Sequence, residues 1–155
     1  MGRPVCSTLS LTIRTARTAT EIDEAAALYV RSGTERFTWR PQGHFQAEDF
    51  RKFAQDEEVW LALMGDALVG ILAIYRPENF IHCLYVDPGA QRLGIGRALV
   101  DHIRHIVGEP LTLKLDLPNR SAIAFYEATG WERMTGLDDQ GADDAGIKWA
   151  RYRLA

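Results

Sequence analysis

The chain has 155 residues, 46% of them apolar and 25% charged, with a net charge of −3. That length suits one compact domain burying roughly 70% of its unfolded surface, and the composition excludes collagenous, low-complexity and disordered chains. Net negative charge argues against broad nucleic-acid binding, which needs a basic surface. No apolar run approaches a membrane span, residues 68–75 being among the longest. The first residues lack the apolar core of a secretory leader, and Cys6 stands where a myristoylation signal needs a hydroxyl. Cys6 and Cys83 form neither a CxxC pair nor a disulfide framework, and zinc has too few ligands. The expectation is a cytoplasmic protein without a metal. Residues 1–7 read as a flexible tail and 8–155 as one domain.

In chain order, residues 8–15 alternate as a half-buried strand. Thr20, with Asp23 and Glu24, opens a helix whose stripe of Ile22, Ala25, Ala26, Leu28 and Tyr29 stops near Gly33. An irregular aromatic stretch, 34–44, leads to a short helix with Phe45, Phe50 and Phe53 on one face. Strands 58–64 and 67–75 are joined by Gly65-Asp66, a tight hairpin signal. A third strand, 80–86, ends at Asp87-Pro88, because proline cannot continue a ladder. The next helix carries Ile95, Leu99, Ile103 and Ile106 and ends at Gly108. Residues 111–117 alternate as a strand, Asn119 opens a helix that closes at Gly130, and strands near 131–137 and 147–154 flank an acidic glycine-rich loop. The order βααβββαβαββ implies an α/β sheet with a parallel βαβ unit over 80–117.

The segment from Tyr85 to Arg97 carries the most chemistry. A strand stops, the chain turns, and a glycine-punctuated loop enters a helix. A helix N-terminus leaves about four amides without intrahelical partners and adds roughly half a positive charge. Gly94 and Gly96 let a ligand approach the backbone, and Arg92 and Arg97 add ionic contacts, which together suit a pyrophosphate. An ordinary strand–helix connection explains the loop alone equally well. The Walker pattern is absent, since no Gly-Lys pair occurs. The dinucleotide fingerprint fails where Leu99 replaces its third glycine, although Asp116, twenty residues past Gly96, lies near a ribose-binding position.

The run Gln91-Arg92-Leu93-Gly94-Ile95-Gly96, after Leu84-Tyr85-Val86-Asp87-Pro88, resembles the acyl-CoA motif of the GNAT superfamily of N-acetyltransferases. A second segment matches independently: Asn119, then Ala122-Ile123-Ala124-Phe125-Tyr126-Glu127, then Gly130-Trp131, with tryptophan for the usual phenylalanine. The resemblance implies a mixed, mostly antiparallel sheet of six to seven strands, a central parallel βαβ unit and about four helices. It implies acetyl-CoA as co-substrate and a small-molecule or peptide amine as acceptor, with no nucleic acid or membrane partner, in a monomer or homodimer. The motif's Gln91, Arg92, Leu93, Gly94, Ile95, Gly96 and Arg97 would hold the diphosphate. Leu84, Tyr85 and Val86 would hold the pantetheine arm, and the Val86 amide would stabilise the developing oxyanion. Asn119 and Phe125 would touch the arm from the other side.

By the same resemblance Tyr126 assists the departing thiolate. A phenol near 10 donating fully to a thiol near 8.5 is uphill by about 2 kcal/mol, so a hydrogen bond is the safer role. The nucleophile also needs a base, since an alkyl ammonium is roughly 0.1% neutral at physiological pH. The family's usual glutamate position is not clearly filled. His82, placed by alternation on the face of Phe80, Leu84 and Val86, and Glu78 are the candidates; a packed strand histidine and a solvated turn residue are the alternative readings. A catalytically idle acyl-CoA-binding module is the rival function.

His102 and His105 read as a solvated helix face, and Cys83 as a small buried strand residue. The segment 136–146, with Asp138, Asp139, Asp143 and Asp144, reads as a mobile loop whose charge would favour cationic acceptors. Phe37, Trp39 and Phe45 either shape an acceptor pocket or pack the core.

Overall fold

The computed structural model describes residues 10–155. The expected tail, Cys6, and Thr8 and Leu9 of the first predicted strand lie outside the described residues. The elements are β1 (Leu11–Thr15), α1 (Ala19–Arg36), α2 (Ala47–Ala54), β2 (Glu58–Met64), β3 (Ala67–Tyr75), β4 (Phe80–Val86), α3 (Ile95–Val107), β5 (Leu111–Asp116), α4 (Arg120–Ala128), β6 (Glu132–Arg133), β7 (Gln140–Ala142) and β8 (Lys148–Leu154). The strands stand in the order β1-β2-β3-β4-β5-β8-β6, with β7 on β8. Every pairing is antiparallel except β4 with β5. The mixed, mostly antiparallel α/β sheet with four α-helices is thus present. The short β7 forms inside the segment read as an open acidic loop.

Residues 69–74 of β3 are all buried, because helices cover both faces of the sheet there. One core layer joins the sheet to α3 and α4; the other joins it to α1 and α2. Gly65 makes the β2–β3 hairpin at φ +61. Thr18, not Thr20, caps α1, accepting the Glu21 amide at 3.1 Å. Gly33 does not end that helix, which runs on to Arg36. It is buried under the Phe45 ring, where a Cβ would stand 2.5 Å from Cδ1.

On α3, Ile95, Leu99, Val100 and Ile103 are buried, each stabilising the fold by roughly 1.5–3 kcal/mol. Ile106, expected on the same stripe, is 43% exposed. The other side is not wholly solvated as expected, since His102 packs edge-on against Trp60. Gly70 permits the helix to lie close to the sheet: a Cβ there would stand 2.9 Å from Ile95 Cγ2 and 3.1 Å from Leu99 Cδ1.

Two irregularities of β4 open the sheet. Ile74 opposes Ile81 and Ala73 opposes Cys83, so His82 is an inserted residue, a β-bulge. The insertion reverses the alternation. Ile81 shares the α3 face with Leu84 and Val86, while Cys83 and Tyr85 face α1 and α2. His82 therefore leaves the face of Leu84 and Val86, where alternation places it, and lies against Phe53 with ring centroids 4.1 Å apart. The second irregularity is the short parallel ladder: β4 and β5 pair only at Phe80 with Thr112 and Ile81 with Leu113. Beyond that point they are no longer paired, and a wedge opens.

Candidate active site

The wedge exposes main-chain polar groups that a closed sheet would pair. The Asp87 amide donates to Val69 O at 2.8 Å, so Val86 and Gly70 form a non-hydrogen-bonded pair. The peptide groups of Val86 and Leu84 consequently point away from β3, into the wedge. Val86 O accepts from Ser32 Oγ at 3.2 Å and Gln91 Nε2 at 3.0 Å. Gln91 thus braces its loop against the end of β4, and buried Ser32 ties the same point to α1.

The loop is built to present amides. Arg92 at φ +69 and Gly94 at φ +75 are both left-handed, which turns successive N–H groups to one side as a concave nest. Arg92 adopts that conformation at a cost of order 1–2 kcal/mol, a feature absent from the sequence reading. Helix-internal bonding starts only at the Ala98 amide, which donates to Gly94 O at 3.0 Å. The amides of residues 91–97 find no acceptor among the described residues. Gly96 is not required by packing: a Cβ there would meet Val86 Cγ2 at 3.6 Å and Phe125 Cζ at 3.8 Å, ordinary contacts. Gly96 lies in the first turn of α3 and leaves its backbone open to the space between Val86 and Phe125.

A cleft of about 740 Å³ runs through the wedge. Of the residues predicted to hold the coenzyme, all but Leu93 border it; Leu93 is 61% exposed on the outer side of the loop. The Ile95 side chain belongs to the core, leaving its backbone for a ligand. Asn119 Oδ1 caps α4 by accepting from the Ala122 amide at 3.2 Å, so only its Nδ2 is left for the arm. Tyr126 packs edge-on against Phe125 and Trp131, and its hydroxyl bonds no described residue. Burial pushes the Tyr126 phenol above its ordinary range. The Cys83 thiol is likewise pushed up by burial, which leaves it no thiolate to act as a nucleophile.

The other end of the cleft is made of side chains. Tyr29 stands among Phe45, Phe53 and Tyr85 at centroid distances of 5.4, 5.9 and 5.4 Å, and burial pushes its phenol up to about 12. Phe37 closes on Phe45 and Tyr85, so the aromatic segment both packs the core and borders the cleft. Arg40 straps the α1–α2 connection across to Asp116 at 2.9 Å and Asp143 at 2.6 Å, and Trp39 Nε1 adds a bond of 2.9 Å to Asp116. Asp139 pairs with Arg151 at 3.2 Å. Two of the four aspartates read as a free cation attractor are therefore already neutralised.

His82 borders the cleft, and Nδ1 lies 2.7 Å from Glu57 Oε2. Glu78 sits in the exposed β3–β4 turn and does not border the cleft. Glu57, which makes the His82 contact from just before β2, is not singled out by the sequence reading, because the partners lie 25 residues apart and meet only in the fold. Among the described residues no group of metal-ligating side chains assembles, and no helix is long and apolar enough to cross a membrane.

Residues 22–131 match the model of the Acetyltransferase (GNAT) family. Mycothiol acetyltransferase of Geodermatophilus obscurus is 32% identical over 142 residues, 78% of this chain and 44% of that protein, so the chain spans less than half of that relative. Peptidyl-lysine N-acetyltransferase YjaB of Escherichia coli is 29% identical over 139 residues, 87% of this chain and 90% of that one. The solution structure of its apo form superposes with a TM-score of 0.75 at 22% identity, over 94% of this chain and 98% of that chain. The crystal structure of PaiA N-acetyltransferase from Thermoplasma acidophilum in complex with coenzyme A gives 0.71 at 14% identity, over 94% and 98%. The two superpositions bear on the fold alone.

Proposed function

Because the chain belongs to the GNAT acetyltransferase family, we propose that it moves an acetyl group from acetyl-CoA to a primary amine by direct attack in a ternary complex. The observation that carries this reading is the wedge: inward-turned peptide groups of Leu84 and Val86 adjoin the nest at 91–97, with Tyr126 and His82 also on the cleft wall. Acetyl-CoA supplies an acetyl group activated as a thioester. The amides of 91–97, aided by Arg92 and Arg97, hold its diphosphate, and Phe125 packs along the arm.

His82 takes one proton from the acceptor ammonium, which frees the nitrogen lone pair. The Val86 amide donates to the carbonyl oxygen as a C–N bond forms and a C–S bond breaks, an interaction that strengthens as charge develops. The proton shed by the new amide nitrogen ends on the departing sulfur. Tyr126 supports that sulfur by hydrogen bonding, since a phenol raised by burial is a poor full proton donor. The aromatic far end of the cleft suits an amine on an apolar or extended carrier, and the lysine named for YjaB supports an amine acceptor.

A thiol-release assay over small amines, amino acids and lysine-bearing peptides tests the proposal. Acetyl-CoA-dependent release with at least one acceptor is the expected result. Coenzyme binding without release for any amine would replace the enzyme by a binding module.

A further inference from the structure

Glu57 immediately precedes β2, and its side chain is only 8% exposed. Oε2 lies 2.7 Å from His82 Nδ1, while Oε1 is buried with no partner. His82 is its one ion-pair partner among the described residues. Burying a carboxylate with a single hydrogen bond is costly, and such a group persists where something compensates it.

The imidazole is held from two other directions as well. The bulge in β4 turns it toward α2, Phe53 lies against its ring, and Phe80 stands 6.3 Å away. The side chain remains 43% exposed along the cleft, and Nε2 has no partner among the described residues. A carboxylate oxygen only accepts, so the Glu57 contact places the ring proton on Nδ1 and leaves the lone pair on Nε2.

We infer that Glu57 is the positioning residue of the acyl transfer: it fixes His82 as the Nδ1–H tautomer, with Nε2 free to accept the acceptor's proton. The inference rests on the acetyltransferase reading above. The proton leaves the acceptor ammonium for Nε2, the imidazolium is held against Glu57, and Nε2 then passes the proton to water at its exposed edge. Glu57 itself gains no proton.

The test uses the full chain labelled with ¹⁵N-histidine. Two-bond proton–nitrogen spectra assign the His82 tautomer without turnover, so they do not depend on finding an acceptor. Protonated Nδ1 in the unsubstituted protein is expected; protonated Nε2 would overturn the inference even if Glu57 variants failed to fold. Glu57→Gln offers an amide donor to Nδ1 and is expected to shift the ring toward the Nε2–H form. With an acceptor in hand, it should lower kcat by 10²- to 10⁴-fold, the usual worth of a positioned base. Acetyl-CoA Kd and acceptor KM should change less than about threefold, as for loss of an interaction made only in the transition state. Adding it to His82→Ala should cost nothing more. Retained kcat in Glu57→Gln, or additive losses in the double variant, would overturn the assignment.

Discussion

The two ends of the cleft are built from different materials. At the proposed coenzyme end the polar groups lie in the backbone: an unpaired strand edge, two left-handed residues and a helix start. At the proposed acceptor end they lie in side chains drawn from distant parts of the chain, with Arg40 meeting Asp116 and Asp143, and Glu57 meeting His82. A backbone site constrains its own sequence locally, through glycine spacing and a strand–turn–helix order. A side-chain site constrains residues that meet only after folding, and it can be exchanged without disturbing its neighbour.

The sharpest way to break this comparison is at the coenzyme end. Gly96→Glu puts bulk and negative charge between Val86 and Phe125, and should weaken acetyl-CoA binding by at least about 100-fold, roughly 2.7 kcal/mol, in calorimetry. Unchanged affinity would dissociate the loop from the coenzyme. Tyr126→Phe should lower kcat by about 10- to 150-fold with acetyl-CoA affinity preserved, matching one hydrogen bond to a charged group at 1.5–3 kcal/mol. Full turnover in that variant would clear Tyr126 of a part in the chemistry.

At the other end, Arg40→Ala removes the strap that holds the α1–α2 connection to β5 and the segment after β7. The Arg40 side chain is only 11% exposed, so Tm should fall by roughly 5–10 °C, as for breaking a largely buried pair. Acceptor KM should rise while acetyl-CoA Kd stays put; a parallel rise of both would show that the two ends are one unit. The smallest effect lies outside the cleft. Hydrogen bonds from Arg14, then from the Arg17 amide, lower the Glu21 carboxyl to about 2. Because that value is depressed from about 4.5, the pair's stabilisation is complete above pH 4.5 and is lost as pH falls toward 2. Glu21→Gln should therefore flatten the fall of Tm across that window by a small margin, with little change in activity.

The same division of materials governs what could be read in advance. The bounds of β2, β3 and β4 were legible because the Gly65 turn and Pro88 punctuate an apolar run. The glycine-punctuated turn into α3 was legible because Gly94 and Gly96 mark it, whereas the left-handed Arg92 that completes the nest was not. Gly33 misled, because its smallness serves the Phe45 ring above it and not a helix end. His82 was placed on the wrong face because one inserted residue reverses a two-residue period, and nothing in the composition of β4 announces a bulge. Asp139 and Asp143 read as free charge because their arginine partners lie 12 and 103 residues away in the chain.

Gly70 shows how far such a site can reach. It borders no part of the cleft, yet any larger side chain there would press on Ile95 and Leu99 and lift the start of α3 from its seat. The seat of α3, and with it the proposed coenzyme loop, is thus held from the opposite side of that helix. In a random mutagenesis screen, inactive clones should cluster at this remote glycine as well as along the rim, and resistance to substitution there would report helix docking rather than ligand contact.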